Sequence, residues 1–188
     1  MIKAKNFEYN TNLVSEEAHE THIALYRGYV DKTNEILQQL QQDPQHEKAH
    51  KNYSCHRSYK KEFSYNLNSV VLHEMFFKNL GKGEGEPSEA FKQLTSNYEN
   101  WKKDFIATAK SARGWCIAAF EQRTGKLCNI LLDNYDTGVL MNMFPVLLID
   151  MYEHSYFTDY ADNREAYIQE FMKNINWNVV NKRVETLS

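Results

Sequence analysis

The chain is poor in the residues that mark secreted, fibrous or membrane proteins. Its three cysteines, Cys55, Cys116 and Cys128, are odd in number and lack CxxC spacing. That argues against both a disulfide framework and a zinc knuckle, and it points to a reducing compartment. No apolar run approaches the length of a membrane span, and Met1 to Asn6 leads into polar sequence without the apolar stretch of a signal peptide. A cytoplasmic location with no membrane partner is therefore expected. Neither sign of charge dominates: 22 basic against 25 acidic residues leave a formal net charge of -3. Nucleic acid is not an expected partner, although Lys102-Lys103 and Lys182-Arg183 create local positive potential, and a small anionic substrate stays open. Glycine and proline are scarce, seven and three, so their clustering is informative. Three glycines and one proline fall within residues 81–87 and mark the strongest break in the chain. There is no internal repeat and no low-complexity tract.

What is present is an ordinary globular composition. At 188 residues and 42% hydrophobic content, the chain can form one large domain or two lobes sharing a core. Ser15, followed by Glu16 and Glu17, reads as the N-cap and acidic first turn of a helix running to about Gln42. His22, Leu25 or Tyr26, Tyr29, Thr33 and Ile36-Leu37 recur along it at helical spacing. A polar turn containing Asp43-Pro44 follows. Phe63, Leu67, Val70-Val71, Phe76-Phe77 and Leu80 then predict a second helix over 59–80, with His73 near its inward stripe. Beyond the glycine break, Ser88 starts a helix carrying Phe91, Leu94, Tyr98 and Trp101, and residues 102–111 form another. Gly114 to Phe120, Leu127 to Leu132 and Phe144 to Ile149 read as strands, and 164–173 and 179–184 as helices. The expected fold is α+β: an N-terminal antiparallel helical hairpin (1–82), then a lobe (83–188) with a three-stranded antiparallel sheet flanked by helices.

The chemistry concentrates where the third strand ends. A carboxylate, Asp150, and an imidazole, His154, leave an apolar run and so stand at the edge of a core, partly stripped of water. His22 and His73 face inward on two helices that a short turn pairs, whereas His46, His50 and His56 lie in polar surroundings and read as surface residues. Three histidines and one aspartate suit a first-row metal with room for water. The plainer reading, histidines satisfied within the core, stands beside it, and spacing alone does not choose among iron, manganese and zinc.

Four separated motifs carry a resemblance. Asp150-Met151-Tyr152-Glu153-His154-Ser155-Tyr156-Phe157 resembles the D-V-W-E-H-A-Y-Y of iron/manganese superoxide dismutases, and Asp159-Tyr160, Asn163-Arg164, Tyr167-Ile168 and Asn176-Trp177 follow in that family's order. Gly85-Glu86-Pro87-Ser88 with Gly114-Trp115 resembles its G-x-P-x-G…F-G-S-G-W. His73-Glu74-Met75-Phe76-Phe77 resembles H-x-x-F-W, and Leu13 to His22 resembles I-S-x-x-x-M-E-x-H. The resemblance implies dismutation of superoxide at one iron or manganese ion per subunit, held by an axial His22 and by His73, Asp150 and His154. It also implies a homodimer in which Glu153 reaches His154 of the partner chain, with Phe157 at the position of an interface tyrosine.

The chain departs from the family where hydrogen bonds tune the metal. The two positions that usually supply a glutamine hold Ser69 and Tyr135, and a phenol at Tyr135 is able to donate in place of the amide. The family's H-x-x-x-H-x-x-x-Y, counted from His22, puts Tyr26 at the second histidine and Val30 at the gateway tyrosine. Tyr29, two helical turns from His22, is the better chemical match if the register shifts by one. Phe77 and Tyr152 replace tryptophans. Two alternatives follow: a metal-binding or redox-sensing protein of the same fold without the activity, and a zinc hydrolase, for which no general base is evident.

Overall fold

The computed structural model describes residues 1–187, and the chain starts with a long helical hairpin. Ser15 is an N-cap, its side chain accepting from the Ala18 amide, and it opens α1 (Glu16–Gln42) with Glu16 and Glu17 against the positive end of the helix dipole. The buried face of α1 carries Ala18, His19, His22, Ile23, Tyr26, Val30, Thr33 and Ile36. The second helix, α2 (Cys55–Asn79), starts four residues before the expected Tyr59 because Ser54 caps it, accepting from the Arg57 amide. Its inner face, with Ser69, Val70, Leu72, His73, Phe76 and Phe77, packs on α1. Most helical stability in proteins comes from packing of an amphipathic face, so the shared apolar stripe is what fixes the pair.

The break at 81–87 is stitched to the end of the chain. Gly81 donates to Asn174, Leu80 bridges Ile175, and Gly83 takes φ +78 so close to the Lys173 carbonyl that a Cβ there would lie 2.6 Å from its oxygen. Only glycine fits. The helix expected to run through Trp101 is instead interrupted. The segment α3 (Glu89–Leu94) stops, Ser96 adopts φ 60, and Asn97 caps a fresh helix, α4 (Tyr98–Ser111), by accepting from the Asn100 amide. The 91/94/98/101 spacing hides this kink because Phe91 and Trp101 still meet, their ring centroids 4.9 Å apart.

The sheet follows as expected. The strands β1 (Trp115–Glu121), β2 (Lys126–Leu132) and β3 (Met143–Asp150) pair antiparallel in the order β2-β1-β3, with a register shift at Ala118/Ala119. Trp115 pairs with Leu132 on one side and Asp150 on the other, so the C-terminal end of β3 is locked beside the start of β1. The run expected to be buried from Phe144 is buried only from Val146; Phe144 itself is 48% exposed. Short α5 (Phe157–Tyr160), then α6 (Arg164–Lys173) and α7 (Trp177–Glu185), complete the fold. Among the described residues, α4 covers β1 and β2 while α2 and α7 cover β3, placing one aromatic core between helices and sheet. The exit of β3 thereby faces the inner sides of α1 and α2. Among the described residues, no helix is long and apolar enough to cross a membrane.

Candidate metal centre

Asp150 ends β3 fully buried. The chain turns at once: the Met151 amide donates to Gly114, and the Tyr152 amide donates to Asp150 Oδ1 at 2.9 Å. A 3-10 turn over Glu153–Ser155, held by Ser155 Oγ donating to the Asp150 carbonyl, folds His154 back over the carboxylate. Oδ2 is left to the imidazoles. His154 Nε2 lies 3.2 Å from it, His22 Nε2 of α1 also 3.2 Å, and His73 Nε2 of α2 3.7 Å.

The donor set fits one metal ion. The four ligand atoms all lie within 4.8 Å of one another, and bonds of about 2.1 Å to a common ion place donors roughly 3–4 Å apart. His73 Nδ1 is 2.6 Å from the Ser69 carbonyl, which only accepts, so Nδ1 carries the hydrogen and the Nε2 lone pair points inward. The Nε2 atoms of His22 and His73 are buried without a hydrogen-bond partner, a cost that a metal bond removes. Burial, reinforced by His22, pushes the His73 imidazole down to about 3, and burial likewise lowers His22. Both rings are neutral, as ligands must be. For Asp150, burial acts upward but is outweighed by His154 and His22, and the carboxyl ends below its ordinary range. An ionised carboxylate beside the neutral His22 and His73 rings in a dry site attracts a cation.

Aromatic rings close the site. Trp115 meets His73 edge-on at 5.3 Å, Phe77 meets His22 at 5.0 Å, and Tyr152 stacks on His154 at 5.3 Å. Tyr135 is 1% exposed, 5.8 Å from His73 and stacked on Tyr152, and its loop is pinned by Asn68 donating to its carbonyl. Burial first, then the Asp150 charge and neighbouring Tyr29, hold its phenol protonated far above the ordinary value. Yet among the described residues no group meets the Tyr135 Oη at hydrogen-bonding distance and angle. Ser69, by contrast, spends its hydroxyl on the Tyr65 carbonyl of its own helix.

The structure also separates the tyrosines of α1. Tyr26 is buried but turned toward the N-terminal segment, donating to Glu74 and accepting from the Lys5 amide. Val30 packs in the core. Tyr29 is the one whose ring lies 5.5 Å from His73 and 5.2 Å from Tyr135. Tyr65, which the sequence reading passed over, stands against both Tyr29 and Tyr135; its place eight residues before His73, close to two turns plus a fraction, was the available signal. Glu153 and Phe157 are at the surface, and the His154 side chain keeps 30% exposure beside a cleft lined by Arg113, Glu153, Tyr156 and Arg164. His46 and His50 are exposed as expected, whereas His56 is partly buried against His46.

The family model for the C-terminal domain of iron/manganese superoxide dismutases matches residues 84–183. The superoxide dismutase [Fe] of Aquifex aeolicus is 39% identical to the chain, the alignment covering 98% of the chain and 88% of that protein. The chain belongs to the iron/manganese superoxide dismutase family. Two further relatives show its breadth: the superoxide dismutase [Mn] 1 of Halobacterium salinarum is 28% identical over 89% of the chain and 82% of its own length, and the superoxide dismutase [Fe] of Methanothermobacter marburgensis 29% over 93% and 89%. Membership sets aside the hydrolase alternative and implies iron or manganese as the metal, and the His22, His73, Asp150 and His154 cluster is able to hold one such ion. Relatives of both kinds match, so membership alone does not choose between the two ions.

Proposed function

We propose that this chain disproportionates superoxide to dioxygen and hydrogen peroxide at one iron or manganese ion held by His22, His73, Asp150 and His154. The observation that carries the reading is the convergence of three imidazole nitrogens on one buried, ionised carboxylate, two of those nitrogens lacking any other partner. The ion, alternating between trivalent and divalent states, supplies the electron exchange. The chain supplies the rest. His73 is oriented through the Ser69 carbonyl. Trp115, Phe76, Phe77 and Tyr152 exclude water and keep the site at low dielectric.

Tyr135 takes the role that a glutamine usually has in the family. It holds a proton at Oη beside the site and, with the ion bound, would donate it in a hydrogen bond to solvent there, favouring hydroxide and with it the trivalent state, the lever that sets the potential. Support comes from its burial, its unpartnered hydroxyl and the diversion of Ser69. Tyr29 is the gateway phenol, supported by its contacts with His73 and Tyr135. The protein is a homodimer in which Glu153 orients the partner's metal-binding imidazole, and the polar link between the gateway and interface positions is replaced by the packing of Tyr26 and Phe157. Exposure of Glu153 and of 54% of Phe157 beside His154 supports that surface. We also take 1–82 and 83–188 as its two domains, which the start of the family match at residue 84 supports. The three unpaired thiols favour a cytoplasmic location.

The test is superoxide removal by protein loaded with iron or with manganese, alongside Asp150→Asn. One loaded form is active, and the variant purifies with less than a tenth of the metal. If both loaded forms are inert while the metal is bound, the chain is a metal-binding relative that has lost the reaction.

A further inference from the structure

The turn between α1 and α2 brings a second pair of histidines into contact, well away from the centre just described. From His22 to the end of α1 is twenty residues, and from His56 to His73 along α2 is seventeen. At 1.5 Å per residue these are spans of about 30 and 25 Å. His46 starts a 3-10 turn, His46–Lys48, and His56 lies in the first turn of α2.

Two features of this pair repeat what the central site shows. The first is ring geometry: the His46 and His56 centroids are 5.1 Å apart at 74°, against 5.0 Å and 86° for His22 with His73 and 4.9 Å and 69° for His22 with His154. The second is a fixed tautomer. His56 Nδ1 is 2.7 Å from the Pro44 carbonyl, as His73 Nδ1 is 2.6 Å from that of Ser69. A carbonyl only accepts, so the hydrogen is on Nδ1 and the Nε2 of His56 carries a free lone pair, the outer hydrogen bond that orients metal-bound imidazoles. His46 is exposed, so water can complete the coordination.

We propose that His46 and His56 form a second metal site, distinct from the dismutase centre, that takes a late first-row dication and Cu²⁺ most tightly. Imidazole is a borderline donor, and for a nitrogen site open to water, affinity rises toward copper along the first row. His50 is not part of it. Its Nδ1 accepts from the Asn52 amide, which leaves the hydrogen on Nε2 and no lone pair free.

The experiment uses protein whose central site is already filled with iron or manganese, titrated with Cu²⁺ alone and followed by calorimetry and electron paramagnetic resonance. One Cu²⁺ binds per chain, its spectrum shows coupling to two imidazole nitrogens, and the central metal is retained. His46→Gln, which changes an exposed side chain, weakens binding by at least about tenfold, and His56→Gln does the same, since losing a ligand costs more than losing an outer partner. His50→Gln leaves binding unchanged. The proposal is overturned if Cu²⁺ binds without imidazole nitrogen coupling, if His46→Gln binds it undiminished, or if uptake matches release of the central metal. None of these readouts depends on dismutation.

Discussion

Replacing Tyr135 by phenylalanine removes one oxygen from a position that is 1% exposed and leaves the ring packing on Tyr152, His73 and Trp115 in place. Among the described residues that oxygen has no hydrogen-bond partner. A buried hydroxyl in that state costs about 1–3 kcal/mol, so Tyr135→Phe stabilises the metal-free protein by that amount. For a chain of this length the gain corresponds to a rise in Tm of about 2–12 °C. Loading with iron or manganese gives Oη an acceptor, and the sign changes: the variant then loses a hydrogen bond to a charged centre, worth about 1.5–3 kcal/mol. Because the lost donor favours the trivalent state, the midpoint potential of the loaded variant rises, by roughly 65–130 mV for a one-electron couple. Calorimetric melting of both forms, potentiometry and the superoxide assay read these effects together. Equal Tm shifts in the metal-free and loaded forms, with unchanged potential and activity, refute the role given to Tyr135. A loss of stability in the metal-free form shows instead that Oη is already bonded, with the neighbouring Tyr29 phenol as the candidate partner.

Arg183 is a partly buried cation which, among the described residues, donates to three neutral acceptors, Asn79 Oδ1, the Val146 carbonyl and the Met75 carbonyl, and burial brings it down to about 10. Arg183→Met strands those acceptors between α2 and β3 and costs about 3 kcal/mol in urea unfolding; a change under about 0.5 kcal/mol contradicts this. Thiol labelling sorts the cysteines by position: exposed Cys55 reacts at once, Cys128 slowly, and Cys116, whose thiol burial drives far up, only after unfolding. Fast labelling of two thiols in the native protein breaks the ordering. Glu153→Ala shifts the protein toward the single chain in light scattering, and a wild type that is already monomeric removes the shared-histidine dimer.

Legibility in the sequence followed the range of the interaction. Ser15 and Ser88 were readable as caps because an acidic residue follows each, so cap and dipole agree. Ser54 was not, since Cys55-His56-Arg57 puts no carboxylate in the first turn and the apolar stripe starts only at Phe63. Asn97 escaped for the opposite reason. Its apolar neighbours keep helical spacing across the kink, and only the positive φ of Ser96, invisible in sequence, breaks the helix. The strands and the carboxylate at their exit were plain because the apolar run Val146 to Ile149 has the length of a buried strand and ends at Asp150.

The tyrosines of α1 show where periodicity and motif counting part. At about 100° per residue, Tyr26 is roughly 40° from His22 around the helix, Val30 roughly 80°, and Tyr29, seven residues on, only about 20°. Counting the family's motif from His22 selects Val30 for the gateway; the angle selects Tyr29, and that ring is the one lying 5.5 Å from His73. The angle does not reveal why Tyr26, also buried, turns elsewhere. Its hydroxyl is taken by Lys5 and Glu74, residues 21 and 48 positions away, and no local pattern encodes a meeting at that separation. With Tyr26 thus committed, the phenols facing the metal ligands from α1 and from the β2–β3 loop are Tyr29 and Tyr135, and they touch each other at 5.2 Å. Residues in contact couple, so Tyr29→Phe and Tyr135→Phe belong in one double-mutant cycle, in which non-additive effects on potential are the expected outcome.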